Sequence, residues 1–437
     1  MTGSAPRTGT PEPEHGEVPV LEAPREGLPG LIDTPEELAR RCADLAAGHG
    51  PVAIDTERAH GFRYSPQAWL IQLRRAGAGT LLVDPRAFGP TGGEPAGGGL
   101  EPLARALRGT EWILHAASQD MPCLAMEGLR PDRLFDTELA GRLLGLDHVG
   151  LAAMVEDYLG VRLLKEHSAA DWSTRPLPED WLVYAALDVE LLDELRAAVA
   201  EDLRVAGKIR WAREEFDHLV DQATRLPTGT PPPDPHRWRR TTGIGQVRTR
   251  AGLQVLHDLW WAREEIAAAT DTAPGRIVND RALTGFTCHV GDRVDLTESQ
   301  VRSSSALGKG RGRRHLDAWL AAVDHAASVR PRDLPPLRAP RHPGEIPHPR
   351  SWSRHHPQQA ARWEALRPTV NGRAAELHLP PENLLAPAVL RELAWQPPRD
   401  VSAMGLDAWL AEREVRQWQR DLVCGALSRT LSSHHGP

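Results

Sequence analysis

Lysine is nearly absent from this sequence: Lys165, Lys208 and Lys309 are the three in 437 residues, so almost all basic charge is arginine. With heavy alanine and glycine use, this reflects GC-rich codons rather than function. Apolar runs are short. None approaches the roughly 18 uninterrupted residues of a membrane-spanning helix. The opening MTGSAPRTGTPEPEHGEVP lacks the apolar stretch of a secretory leader. Paired cysteines are missing too, since Cys42, Cys123, Cys288 and Cys424 stand far apart with no C-x-x-C. That argues against a disulfide framework or a structural zinc and suits a reducing cytoplasm. A net charge of -7 rules out a protein coated in basic residues, so any nucleic-acid surface has to be local.

What is there is globular. Hydrophobic residues at 41% and charged residues at 25% lie near ordinary averages, which excludes wholesale disorder. A chain of 437 residues exceeds one domain, and 38 prolines with 38 glycines point to several linkers. Residues 1–30, rich in Pro, Gly and Glu, read as a disordered acidic arm. Residues 31–224 read as an α/β domain. Thr34-Pro35-Glu36-Glu37 starts a helix, with Thr34 as cap and Pro35 at the first helical position. Pro51-Val52-Ala53-Ile54 is a buried strand ending in Asp55-Thr56-Glu57, and strands at 68–73, 80–84 and 112–115 alternate with helices thereafter.

The proline-rich stretch 225–238 is the main linker and 331–349 a second. They bound two helical segments, 239–330 and 350–437, that look like diverged copies. Leu316-Asp317-Ala318-Trp319-Leu320-Ala321 recurs as Leu406-Asp407-Ala408-Trp409-Leu410-Ala411. A looser pair is residues 277–283 and 384–390. The copies differ most before the repeated tryptophan, where the first carries Arg302, Lys309, Arg311, Arg313 and Arg314 among Gly and Ser.

Four carboxylates stand out by context. Strand alternation turns Asp55 and Glu57 to one face. Asp120 ends His115-Ala116-Ala117-Ser118-Gln119-Asp120, where a strand gives way to a helix. Tyr184 and Asp188 are four apart on a helix and share a face. Carboxylates at strand ends are hard oxygen ligands of the kind Mg2+ or Mn2+ prefers, and two such ions about 4 Å apart can hold both the attacking water and the leaving oxygen of a phosphodiester. Taken singly, each motif reads sooner as a solvated strand end or a helix-surface charge than as a site.

Order and surroundings together change that. Asp55-Thr56-Glu57, Leu70-Ile71-Gln72-Leu73, His115 through Asp120, Phe135-Asp136-Thr137, Asp171-Trp172-Ser173-Thr174-Arg175-Pro176-Leu177 and Tyr184-Ala185-Ala186-Leu187-Asp188 make the chain resemble the ribonuclease D family of DEDD exonucleases over residues 31–215. The residue five before Asp188 is Val183 rather than histidine, which matches the tyrosine subclass. The resemblance implies an α/β ribonuclease-H-like exonuclease domain followed by two small all-α HRDC-type helical domains. It also implies two divalent metal ions, Mg2+ or Mn2+. Asp55 would bridge the pair, Glu57 and Asp188 would hold the ion that activates water, and Asp120 would support the second. Tyr184 would orient the water, its phenol being a poor free base at a pKa near 10. The expected partner is RNA with a free 3' end, trimmed by a monomer to nucleoside 5'-monophosphates. The rival readings are a 3'-to-5' DNA exonuclease and a non-catalytic nucleic-acid adaptor.

Other residues are weighed against plainer roles. Lys165 and Arg175 flank the last motif and suit substrate phosphates, although Arg175 could instead cap a helix or pair with Asp171. The cations Arg302, Lys309, Arg311, Arg313 and Arg314 suit a flexible arm on a phosphate backbone. Gln72 and Tyr64 fall on the substrate side by resemblance. His115 reads as a structural histidine, and Trp172, Trp260, Trp261, Trp319 and Trp409 as core.

Overall fold

The computed structural model describes residues 18–89, 99–163, 169–338 and 344–434. Lys165 and residues 1–17 of the expected arm lie outside the described residues. The apolar run Val52-Ala53-Ile54 lies within β3 (His49–Arg58), a central strand of a six-stranded mixed sheet. The other strands are β2 (Leu31–Ile32), β4 (Ala68–Ala76), β5 (Gly79–Val83), β6 (Glu111–Leu114) and β7 (Arg133–Asp136), in the order β2-β5-β4-β3-β6-β7. β3 and β4 pair antiparallel with Asp55 opposite Gln72, whereas β6 runs parallel to β3. β1 (Val20–Leu21) pairs with β8 (Arg162–Leu163) outside this sheet.

Alternation along β3, β4 and β5 gives the sheet two apolar faces, so helices cover both. Ile54, Ile71, Leu73, Leu81 and Val83 join the main core with α1 (Pro35–Ala47) and α2 (Glu101–Ala106). The Thr34 hydroxyl accepts from the Glu37 N–H, and Leu38, Cys42 and Leu45 form the buried stripe of α1. On the opposite face Leu70 and Leu82 pack against Trp172, Ala185 and Ala186. This face carries Asp55 and Glu57. The chain passes through α3 (Met121–Met126), α4 (Thr137–Leu144) and α5 (Leu151–Leu159) before α6 (Glu179–Glu190) settles over β3, β4 and β5. α7 (Leu192–Val205) and α8 (Ile209–Thr224) close the domain.

The middle module contains α9 (Arg250–Thr270), α10 (Pro274–Ile277), α11 (Asp280–Thr287), α12 (Glu298–Ser303) and α13 (Leu316–Ser328) around a core of its own. The C-terminal module contains α14 (Trp352–His355), α15 (Pro357–Glu376), α16 (Pro381–Leu384), α17 (Pro387–Trp395), α18 (Ala403–Ala411) and α19 (Gln417–His434). Its apolar residues are continuous with the main core of the α/β domain. Among the described residues no helix is long and apolar enough to cross a membrane.

Four expectations need correction. The arm was expected to be disordered to residue 30, yet residues 18–30 are tied down: Val20 and Leu21 pair with β8, and Arg25 forms an ion pair with Glu194 at 2.8 Å. Trp238, expected at the end of a linker, is buried in the middle core, as is Leu334 from the second expected linker. The basic loop is folded rather than a flexible arm. Leu307 is fully buried, and side chains at Gly308 and Gly312 would collide with the carbonyls of Arg302 and Ala306. The two copies of the Leu-Asp-Ala-Trp-Leu-Ala segment are both helical and bury their tryptophans, but the first opens α13 whereas the second ends α18.

Candidate active site

The site forms where β3 ends. Asp55 and Glu57 leave the strand on the face that α6 covers, and α6 presents Tyr184 and Asp188 one turn apart. Ligand oxygens of Asp55, Glu57 and Asp188 all lie within 4.8 Å of one another. The Tyr184 hydroxyl donates to Asp188. Behind it Trp172 is fully buried, with ring centroids 5.3 Å from Trp181 and 6.4 Å from Tyr184, so it braces the tyrosine rather than stacking on a base.

Asp120 is placed by a different device. Ala116 adopts a left-handed backbone (φ 61°), uncommon for alanine, and starts the turn that carries Asp120. Asp136 at the end of β7 holds that turn: its carboxylate accepts from the N–H groups of Ala116 at 3.0 Å and Ala117 at 2.8 Å, and it also caps α4. The Thr56 hydroxyl then donates to Asp120 Oδ1 at 2.7 Å, with Arg58 Nη2 3.8 Å from the same oxygen. Asp120 is thus fixed beside the cluster, outside the set of three within 4.8 Å of one another, and its charge still acts on all three.

The electrostatics are those of acids that resist ionising together. Burial, then the charges of Asp120 and Asp188, hold the Asp55 carboxyl well above the ordinary range. Burial, then Asp55, Asp188 and Asp120, do the same to Glu57. Burial lifts Asp188 to about 7 against the pull of the Tyr184 hydrogen bond, with Asp120 adding to the rise. Asp120 rises to about 6 through burial, moderated by Thr56 and Arg58. Burial and then the neighbouring carboxylates push the Tyr184 phenol up. A hard divalent cation resolves this conflict, and oxygen donors from three carboxylates are the ligand set such a cation takes.

The expected substrate cations fare differently. The Arg175 guanidinium is consumed inside the fold: Nε and Nη2 donate to Asp84 at 2.6 and 2.8 Å, and further bonds go to the carbonyls of Trp172, Thr174 and Trp69. Its partner is Asp84 rather than Asp171, and it has little left for a phosphate. Lys165 lies outside the described residues. Arg302 pairs with Glu298, and Lys309, Arg311, Arg313 and Arg314 are exposed on the middle module. His115 donates to or accepts from the Thr137 hydroxyl at 2.9 Å, and burial lowers its pKa to about 4, so it is neutral and structural. Tyr64 is half-buried and bonds to Glu264 of the middle module, and Gln72 is fully buried opposite Asp55.

The sequence reading missed Arg58. A bulge between Glu57 and Arg58 breaks the register with β4, and the guanidinium bonds to the Gln119 carbonyl while facing Asp120. Its position directly after Glu57 was the available signal. It is the cation that moderates the charge of Asp55, Glu57 and Asp120.

Acids from a strand end, a strand–helix turn and a helix, gathered beside a tyrosine on a mixed sheet, define a 3'-5' exonuclease domain with a divalent-metal site. The 3'-5' exonuclease family model matches residues 29–204, and the model for the 3' to 5' exonuclease C-terminal domain matches residues 345–431. Ribonuclease D of Nitrobacter hamburgensis is 31% identical over 320 residues, covering 71% of this chain and 77% of that protein. Ribonuclease D of Escherichia coli K12 is 32% identical over 310 residues, covering 70% and 76%. The chain belongs to the ribonuclease D family and is a 3'-5' exoribonuclease. Among solved structures, a protein from Bifidobacterium adolescentis superposes with a TM-score of 0.82 at 35% identity, covering 95% of this chain and all of that one. The Escherichia coli RNase D structure, described as an exoribonuclease involved in structured RNA processing, gives a TM-score of 0.63 at 25% identity over 92% and 98%.

Proposed function

We propose that the enzyme removes nucleoside 5'-monophosphates one at a time from RNA 3' ends, using two divalent ions, Mg2+ or Mn2+, and that it trims stable RNA. Asp55, Glu57 and Asp188 would hold the ion that activates water, and Asp55 with Asp120 would support the second. Bound there, the ions would supply a nucleophilic water at neutral pH and charge stabilisation at the scissile phosphate. The chain itself supplies orientation. The Tyr184 hydroxyl, anchored on Asp188, is aimed by α6 and takes its hydrogen bonds as a neutral phenol, because the acids around it oppose its ionisation. Thr56 and Arg58 keep Asp120 turned toward the cluster. Both helical modules are taken as HRDC-type domains, and Lys309, Arg311, Arg313 and Arg314, exposed on the middle module, as contacts to the RNA backbone.

The observation that carries this reading is the convergence of Asp55, Glu57 and Asp188 to within 4.8 Å from segments more than 100 residues apart. The test is incubation of the protein and its Asp55→Ala variant with 3'-end-labelled RNA and DNA, in Mn2+ or EDTA. Metal-dependent mononucleotide release from RNA, lost in the variant, is expected. Release from DNA alone would move the substrate to DNA, and no release from either polymer would leave a nucleic-acid adaptor.

A further inference from the structure

We propose that Gln72 is a positioning residue for Asp55: in the metal-loaded site its amide N–H donates to the Asp55 carboxylate and fixes the orientation in which that carboxylate meets the metal. This rests on the metal-binding role proposed above for Asp55. Gln72 has no exposed surface, and neither its Nε2 nor its Oε1 has a hydrogen-bond partner among the described residues. A buried amide with both halves unpaired is uncommon, because it has given up water for nothing in return.

Its place in the sheet says what it is opposite. Gln72 pairs directly with Asp55 across the antiparallel ladder, so both side chains leave the same face. Directly opposed Cβ atoms lie about 4.5–5.5 Å apart, within reach of a long, rotatable amide. Asp55 takes a hydrogen bond from the Thr56 N–H, which leaves most of the lone pairs on its two oxygens open. The neighbours of Gln72 on this face are settled. Leu70 packs with Trp172, Ala185 and Ala186, and Arg74 reaches Glu190 at 3.4 Å.

The other acids show the pattern that Gln72 completes. Asp188 has a side-chain donor in Tyr184, and Asp120 has one in Thr56. Gln72 is the corresponding donor for Asp55, the acid on which both ions depend. A carboxylate that ligates a metal is held by hydrogen bonds from behind, and losing such a partner typically weakens metal affinity 10–100-fold. A leucine would fill the same space and leave the packing intact, so packing alone does not account for an amide here.

The test uses full-length Gln72→Leu and Gln72→Met, with Mn2+ alone as the calorimetric titrant and melting curves recorded in EDTA. Both variants should bind Mn2+ about 10–100-fold more weakly. Their metal-free melting temperatures should be unchanged or higher, since an unpaired polar group has been removed. On RNA, kcat should fall with KM unchanged. Mn2+ affinity within twofold of wild type in the folded variants overturns the inference. So does loss of folding in both, because the amide would then be part of the packing. Failure of the underlying reading would look different: the wild-type protein itself would not take up Mn2+ at these acids.

Discussion

The two helical modules carry the same six-residue segment, yet they are attached to the catalytic domain to very different depths. The C-terminal module is fused to it through apolar packing. Trp418 stacks on Trp211 of α8 with ring centroids 4.9 Å apart, and its Nε1 donates to the buried Glu215. Lys208 Nζ bridges the carbonyls of Leu143 and Leu377. The middle module keeps its own core, against which Tyr64 packs, and holds residues 61–65, the loop that continues β3 beyond the acids, largely by hydrogen bonds. Asp271 accepts from the N–H groups of Tyr64 and Ser65 at 3.1 and 2.9 Å, and Arg276 Nε donates to the Gly61 carbonyl at 2.7 Å. The C-terminal module is part of the catalytic body. The other clasps the loop beside the site.

The largest expected effect breaks the fused side. Trp418→Ala removes a side chain that is 1% exposed and leaves Glu215 short of a donor, so about 3–5 kcal/mol of stability should be lost from the whole catalytic body. Trp319→Ala, equally buried and bonded through Nε1 to Gly312, should cost a similar amount but only in the middle module. Calorimetry with Mn2+ titration separates the two. The first variant should lower the transition that metal raises, and the second should leave that transition in place. A common shift in both would mean that the two cores unfold as one.

The clasp should respond more mildly. Asp271 ends α9 with a left-handed backbone, φ 42°, which glycine adopts without strain. Asp271→Gly therefore removes the carboxylate without distorting the turn. Two loop N–H groups lose their acceptor, worth about 1–3 kcal/mol of local stability. Hydrogen exchange should speed up at Tyr64 and Ser65 while both cores melt as before. Unchanged exchange there would show that the remaining contacts, Arg276 to Gly61, Ala273 to Phe62 and Glu264 to Tyr64, hold the loop without Asp271.

These contacts were the least legible part of the sequence. Asp55 and Glu57 could be read because strand alternation is local, and Tyr184 with Asp188 because a helical turn is local. Asp120 could be found by its motif but not explained, since its placement depends on a left-handed Ala116 held by Asp136 twenty positions on. Arg175 looked available because its partner Asp84 lies 91 residues upstream. The repeat was visible, but its two modes of attachment were not. They depend on which distant face each module meets, and helical periodicity marks a face without naming its partner.

Two pairs of acids, one in each region, should also answer pH with opposite signs. In EDTA, the folded catalytic body binds protons more tightly than the unfolded chain does: Asp120 is raised to about 6 and Asp188 to about 7 from an ordinary 3.8. Their contribution to stability therefore falls as pH rises from about 4 to about 7. In the middle module, burial pushes Asp258 up but hydrogen bonds from His257, Gln254 and His325 overcome it, and Asp280 is likewise held below the usual range by Thr242 and Arg263 against its burial. Those two contribute stability above pH 4 that is lost on acidification below it. Melting in EDTA between pH 5 and 8 should thus lower the catalytic transition through these acids and leave the contribution of Asp258 and Asp280 level. Mn2+ should oppose the fall by replacing protons at the site.

The smallest effect on stability should come from the exposed cations of the clasping module. Arg302 is engaged by Glu298 on the surface, so Arg302→Ala should change stability by no more than about 0.5 kcal/mol. Lys309, Arg311, Arg313 and Arg314 are exposed on a turn whose shape is set by buried Leu307 and by Gly308 and Gly312, so replacing all four with glutamine should leave the module folded. If the turn meets RNA, the salt dependence of RNA binding should flatten by about one unit for every phosphate that the turn no longer neutralises, while Mn2+ affinity stays the same. An unchanged salt slope would confine the middle module to holding the loop and leave RNA binding to the catalytic body.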